Sequence, residues 1–312
     1  MHPAASIIFF TVASGAGYGM LAWLGLHTLS QPPEPVRGLT VLLVALALVS
    51  AGLLSSTFHL GHPERAWRAL SQWRSSWLSR EGVAAIATYP AALLFGAALL
   101  FPDDLSGLLE PAGLVMAVLA LVTVFCTSMI YASLKPIPAW HNGLTVALYF
   151  AYAAATGLLL FAALVHAMGA RPPFLVAPLV VACVVCWAVL RLYWRRIDGP
   201  AEMPTKAQAI GLDASQVRPL DPPHTEANYL QREMGFQIAR KHAAKFRRIS
   251  EVVGLAVPII LTLAIQVLPP WAASLALIAA ALAAGFGALV QRWLFFAEAK
   301  HMVMLYYDRD AA

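Results

Sequence analysis

Eight apolar runs, parted by short polar breaks, set the plan of the chain. They cover approximately residues 5–28, 38–59, 82–101, 111–134, 142–166, 174–194, 251–268 and 272–296. As helices rising ~1.5 Å per residue, such runs cross about 30 Å of hydrocarbon. The breaks are rich in proline, which lacks an N–H and fixes φ. They read QPPEP at 31–35, FPDD at 101–104, KPIPAW at 135–140, ARPP at 170–173 and PP at 269–270. The pattern predicts an all-α integral-membrane protein, with eight transmembrane helices in one bundle and a single membrane domain over residues 1–312.

One long polar stretch, 195–250, interrupts this plan. Its first half, rich in Pro, Asp and Thr, reads as an extended connection. From about Glu226 to Arg248 it reads as an amphipathic helix, with Phe236, Ile238 and Phe246 among Arg240, Lys241, Lys245, Arg247 and Arg248. A basic amphipathic helix suits an anionic lipid surface or a soluble partner.

Composition agrees. The chain is 60% hydrophobic and 12% charged, where soluble domains carry about 25% charged residues. Mean hydropathy is +0.70. A water-soluble helical protein is excluded. Cys126, Cys183 and Cys186 all lie inside apolar runs. They are too few for a disulfide framework or a self-contained iron–sulfur cluster, and the C-x-x-C at 183–186 reads as small buried hydrophobes. No basic stretch precedes the first apolar run, so that run is expected to be a retained span rather than a signal peptide.

Charge sets the expected orientation. With eight spans, both termini share a side with loops 60–81, 135–141 and 195–250. That side carries Arg65, Arg68, Arg74, Arg80, Lys135, Arg195, Arg196, the 240–248 cluster, Lys300 and Arg309; the other has little beyond Arg37 and Arg171. The positive-inside rule places both termini on the cytoplasmic side of a bacterial inner membrane.

The candidate chemistry lies between the second and third runs, in STFHLGHPERAWRALSQWRSSWLSREG. His59 ends one run and Glu81 precedes the next, at one membrane boundary. Ionisable groups there are costly and need a function or a partner. A quinone gains two protons on reduction and loses them on oxidation. Histidine, with its pKa near 6.5, and a partly desolvated carboxyl can carry them. The alternative is structural: His59 on a helix-end carbonyl and Glu81 paired with Arg80 or Arg65. Trp67, Trp73 and Trp77 with the arginines of this loop also suit a membrane boundary. Arg65, Trp77 and Tyr131 are further candidates for a quinone pocket. Tyr131, Lys135, Pro138, Trp140 and His141, with Glu298 and His301, form a candidate second wall at the same depth. Gly15 and Gly19 form a G-x-x-x-G suited to close helix packing.

No predicted span holds a histidine near its centre, so no haem or metal is expected in this chain. No dinucleotide or phosphate-loop fingerprint occurs, and no nucleic-acid partner is expected. A transporter is the alternative from another class, though no predicted span carries a central carboxylate.

The segments HPAASIIFFTVASGAGYG, SSTFHLGHPERAWRAL, SSWLSREG, MIYASLKPIPAW and RWLFFAEAKH resemble the DmsC family, the membrane anchors of dimethyl-sulfoxide-reductase-type molybdoenzymes. The resemblance covers nearly the whole chain except 195–230. It implies an eight-helix, haem-free anchor that holds a four-cluster iron–sulfur subunit and a catalytic molybdopterin subunit to the membrane. It implies electron exchange between the nearest 4Fe–4S cluster and ubiquinone or menaquinone. The family's quinol-linked histidine and glutamate match His59 and Glu81. The inward orientation looks more like the branch that anchors a cytoplasmic, quinone-reducing sulfite dehydrogenase. The alternative is the quinol-oxidising anchor of a dimethyl sulfoxide or S-oxide reductase.

Overall fold

The computed structural model describes residues 3–58, 62–171, 175–199, 205–211, 217 and 238–307. Every regular element in it is helical. The long helices are α1 (Ala5–Thr28), α2 (Pro35–Thr57), α3 (Trp77–Leu100), α4 (Pro102–Ala132), α5 (Gly143–Ala167) and α6 (Val176–Asp198). They are followed by α7 (Ile238–Glu251), α8 (Val257–Ala264) and α9 (Pro270–Ala297). Among the described residues, seven helices are long and apolar enough to cross a membrane.

The predicted run 251–268 departs from expectation. It is not a regular helix: a π turn over Val252–Ala256 joins α7 to α8. Proline explains the break. Pro258 has no N–H to give the carbonyl of Gly254, so the hydrogen-bond ladder slackens there. The composite segment runs antiparallel to α9. Phe246 meets Trp293, with ring centroids 5.1 Å apart, and Ser250 Oγ donates to the Gly287 carbonyl at 3.1 Å. Of the helix expected over 226–248, residues 226–237 lie outside the described set, and α7 covers the rest.

Helices α1 and α5 form the centre. Helix α1 packs against α2, α4, α5 and α9. In lipid no hydrophobic force drives helices together, so close backbone contact between small residues does the work. Gly19 and Gly157 supply it: a Cβ on Gly157 would lie 2.6 Å from the Met20 nitrogen. Trp23 Nε1 donates to the Ala154 carbonyl at 3.0 Å across the same seam. Leu43, Ile260 and Leu282 are exposed on the outside, where lipid would cover them.

Two boundaries differ in ways that matter. Helix α4 begins at Pro102, nine residues before the predicted start, because Pro102 fits the first helical turn and Asp103 and Asp104 follow it there. Helix α3 begins at Trp77, not residue 82. Ser76 caps it, its Oγ accepting from the Ser79 N–H at 3.4 Å. Glu81 therefore stands inside a spanning helix rather than in the loop before it.

Candidate functional site

Glu81 is 4% exposed. Its described partner is the Thr127 hydroxyl on α4. Thr127 also bonds the Thr123 carbonyl at 2.9 Å. One hydroxyl has one proton and here faces two acceptor oxygens. Both contacts are hydrogen bonds at once when the carboxyl is the neutral acid and donates to Thr127 Oγ1. The pair can therefore hold one proton and give it up.

The ion pair expected as the alternative for Glu81 is not what forms. Arg80 turns back to the loop: its Nε donates to the Trp73 carbonyl at 3.0 Å and its Nη2 to that of Arg74 at 2.6 Å. Its guanidinium also lies 4.2 Å from the centre of the Trp77 ring. Arg65 stands on the exposed 3-10 segment Pro63–Gln72, with its Nε 3.6 Å from Glu64 Oε1. The 3-10 segment is pinned to α3 by a hydrogen bond from Ser79 Oγ to the Ala69 carbonyl. Trp67 and Trp73 point outward, so the loop presents arginine and tryptophan together above the buried carboxyl.

An aromatic wall stands on the other side. Tyr131 packs against Trp140, Tyr149, Phe295 and Phe296, with centroids 5.2–5.8 Å apart. Trp140 Nε1 donates to the Phe295 carbonyl at 2.8 Å, and the Trp140 ring meets His301 at 5.5 Å. Segments 131–141 and 292–301 thus meet. Tyr131 and Tyr149 lie within electrostatic reach of both Glu81 and Arg292. Trp77, one turn before Glu81, packs edge-on against Phe125 at 5.6 Å. His59 lies outside the described residues.

Arg292 and Gln291 join the site without having been among the candidates marked by sequence. Both are buried in α9, at 3% and 1% exposure. The Arg292 guanidinium sits 3.7 Å from the centre of the Tyr149 ring, and a cavity opens beside it, lined also by Tyr18, Thr127, Tyr149 and Tyr152. The available signal was a Gln-Arg pair well inside an apolar run, where each polar group is costly.

The model for the DMSO reductase anchor subunit family (DmsC) matches residues 1–297. The chain belongs to the DmsC family. A sulfite dehydrogenase subunit of Allochromatium vinosum is 34% identical over the full length of both proteins. The anaerobic dimethyl sulfoxide reductase chain YnfH of Escherichia coli is 27% identical over 60% of this chain and 66% of its own. A further relative, from the anaerobic dimethyl sulfoxide reductase of Haemophilus influenzae, is 27% identical over 45% of this chain and 50% of its own. A DmsC-type protein is a multi-pass membrane anchor within an oxidoreductase complex.

This DmsC anchor carries a second charged region, built differently. Arg247 on α7 bridges Asp198 at the end of α6, Nη1 to Oδ2 at 2.6 Å, and Glu298 after α9, Nη2 to Oε2 at 2.9 Å. Arg191 on α6 donates from Nη2 to Glu251 Oε2 at 2.7 Å. These pairs clamp the interrupted segment to its neighbours. The face of α7 bearing Lys241, His242 and Lys245 includes exposed positions.

Proposed function

We propose that this anchor passes electrons between the nearest 4Fe–4S cluster of a partner subunit and a quinone in the bilayer, with sulfite oxidised at a separate molybdopterin subunit. Sulfite and water give sulfate, two electrons and two protons; quinone takes two electrons and two protons to become quinol. The sulfur chemistry belongs to the partners. This chain supplies the quinone site and its protons.

The observation that carries the reading is Glu81, a buried carboxyl whose described partner is a hydroxyl rather than a cation. Such a group is costly in a membrane, and its presence there points to a function such as proton exchange. His59, at the same expected membrane boundary in the sequence, is its proposed partner at the quinone. Tyr131 and Trp77 would flank the ring, and Arg65 would stand at the rim. The full-length likeness to a sulfite dehydrogenase subunit supports sulfite as the electron source. The likeness to two dimethyl sulfoxide reductase chains favours the reverse direction as the second reading.

The Arg- and Trp-rich 3-10 loop and the basic face of α7 would receive the iron–sulfur subunit. The excess of Lys and Arg on these loops supports a cytoplasmic position for them and for both termini. A reporter fused after Ala312 should be active on the cytoplasmic side; activity only in the periplasm would reverse the orientation.

The test of the site is a pair of assays on the purified complex. In His59→Ala and Glu81→Gln, sulfite-to-quinone turnover should fall about 100-fold or more. Sulfite-to-ferricyanide turnover, which bypasses the quinone, should stay at the wild-type rate. Equal loss of both would make these residues structural.

A further inference from the structure

The cavity beside Thr127 holds more hydrogen-bonding groups than the described residues satisfy. The Nε and Nη1 of Arg292 are buried with no hydrogen-bond partner among them; the Tyr18 and Tyr149 hydroxyls, also buried, have the Thr123 and Tyr131 hydroxyls as neighbours but make no well-formed hydrogen bond to them. Tyr18 is 2% exposed, Tyr149 4% and Arg292 3%. Buried polar groups are satisfied by ordered water where protein does not reach them, and in a bilayer the demand is stricter. The shape agrees. The centre of a water-sized sphere can move through about 20 Å³ of the cavity, room for one or two waters and far too little for a quinone ring. Thr127 lines this space and also bonds Glu81. Thr11 and Ser14 extend the wall along α1 toward its N-terminus.

We propose that this cavity is a hydrated proton chamber that serves Glu81 through Thr127, with Arg292 as its fixed positive charge. The proposal rests on the reading of Glu81 given above. Glu81 gives a proton to the quinone as two electrons arrive from the partner's cluster. The carboxylate left behind is reprotonated by way of the Thr127 hydroxyl and the chamber water, which passes on a proton taken up from the aqueous phase and stays neutral itself, and the quinone takes its second proton, drawn from the same phase, by the same relay. Among the described residues no acid pairs with Arg292, and its guanidinium, seated on the Tyr149 ring, orients the chamber water through its buried N–H groups. Arg292, Tyr18 and Tyr149 are positioning residues here; none touches the quinone.

Two measurements on the purified complex test this. The first is kinetic. Tyr18→Phe with Tyr149→Phe, which removes two hydroxyls and little volume, should lower the kcat for sulfite-to-quinone turnover about tenfold. The quinone KM and the ferricyanide rate should not change, the solvent deuterium isotope effect should rise, and millimolar azide should restore the rate as a mobile proton carrier. Arg292→Lys should retain most activity and Arg292→Met should lose it. A raised quinone KM with kcat intact, or an unchanged kcat, overturns the chamber. The second is direct. Radiolytic labelling by internal water should mark Tyr18 and Tyr149 well above Tyr193, which is as buried, at 1% exposed, but does not line the cavity. Equal labelling of all three overturns the proposal. If Glu81→Gln turns over quinone normally, the site reading itself falls; if Glu81→Gln is inactive and the tyrosine variants are not, only the chamber falls.

Discussion

Among the described residues, buried carboxylates are treated in two opposite ways. Glu251 and Glu298, with 8% and 9% of their side chains exposed, are each met by an arginine from a neighbouring helix. Glu81, equally buried, is met by a threonine hydroxyl. An ion pair fixes a carboxylate in its charged form and joins two helices. A neutral hydroxyl fixes neither, and leaves the proton free to come and go. The first arrangement is a joint; the second is suited to chemistry. The contrast also explains Arg80, which lies next to Glu81 in sequence but spends its donors on loop carbonyls. Were it turned inward, Glu81 would become another joint.

The largest expected effect separates the two regions. Glu81→Gln should remove quinone-linked turnover while leaving the melting temperature of the complex unchanged or slightly higher, because a neutral amide replaces an acid in a buried site. A variant that melts early would place Glu81 among the joints. Arg247→Ala should behave in the opposite way. It strips the cation from buried Glu298 and exposed Asp198 together; losing one partner of a fully buried pair costs about 3–5 kcal/mol, and this part-exposed one should cost less. Thermal melting should move down, with quinone and ferricyanide activities falling together as the interrupted segment loosens. Thr127→Val should be milder. Leaving a buried polar group without its hydrogen-bond partner costs about 1–3 kcal/mol, and the quinone-linked rate should drop while the ferricyanide rate holds.

The smallest effect lies at the far end of the bundle and serves as a control. Glu34 caps α2, and the backbone N–H groups of Val36 and Arg37 hold its carboxyl below the usual glutamate range. A folded-state pKa below the unfolded one, ~4.3, gives stability that is present above that value and lost as the pH falls through the folded value. Acid melting curves of wild type and Glu34→Gln should converge at low pH and differ slightly at neutral pH, with no change in quinone turnover at either.

Much of this was readable in the chain, for physical reasons that differ by element. The seven long helices announce themselves because their apolar runs match the hydrocarbon thickness and proline marks their ends. Glu81 was singled out because a carboxylate beside an apolar run is rare. Its depth was misjudged by five residues: Trp77, Leu78, Ser79 and Arg80 look like loop, and Ser76 as a cap was the overlooked signal. The π turn before Pro258 was hidden for another reason. An apolar periodicity says nothing about whether the ladder closes at every residue, although a proline inside the run hints that it does not. Tyr18 and Arg292 are 274 residues apart in the numbering, and only the packing of α1 against α5 and α9 brings their walls together. The Gly19–Gly157 contact that allows this shows in sequence as small residues, without revealing which pair meets.

A redox-induced infrared difference spectrum of the complex tests the central claim most directly. Reducing the bound quinone with sulfite should change a carboxylic-acid C=O band that shifts in deuterium oxide and is absent from Glu81→Gln. A wild-type spectrum without such a band, or a band that survives the substitution, would contradict proton exchange at Glu81.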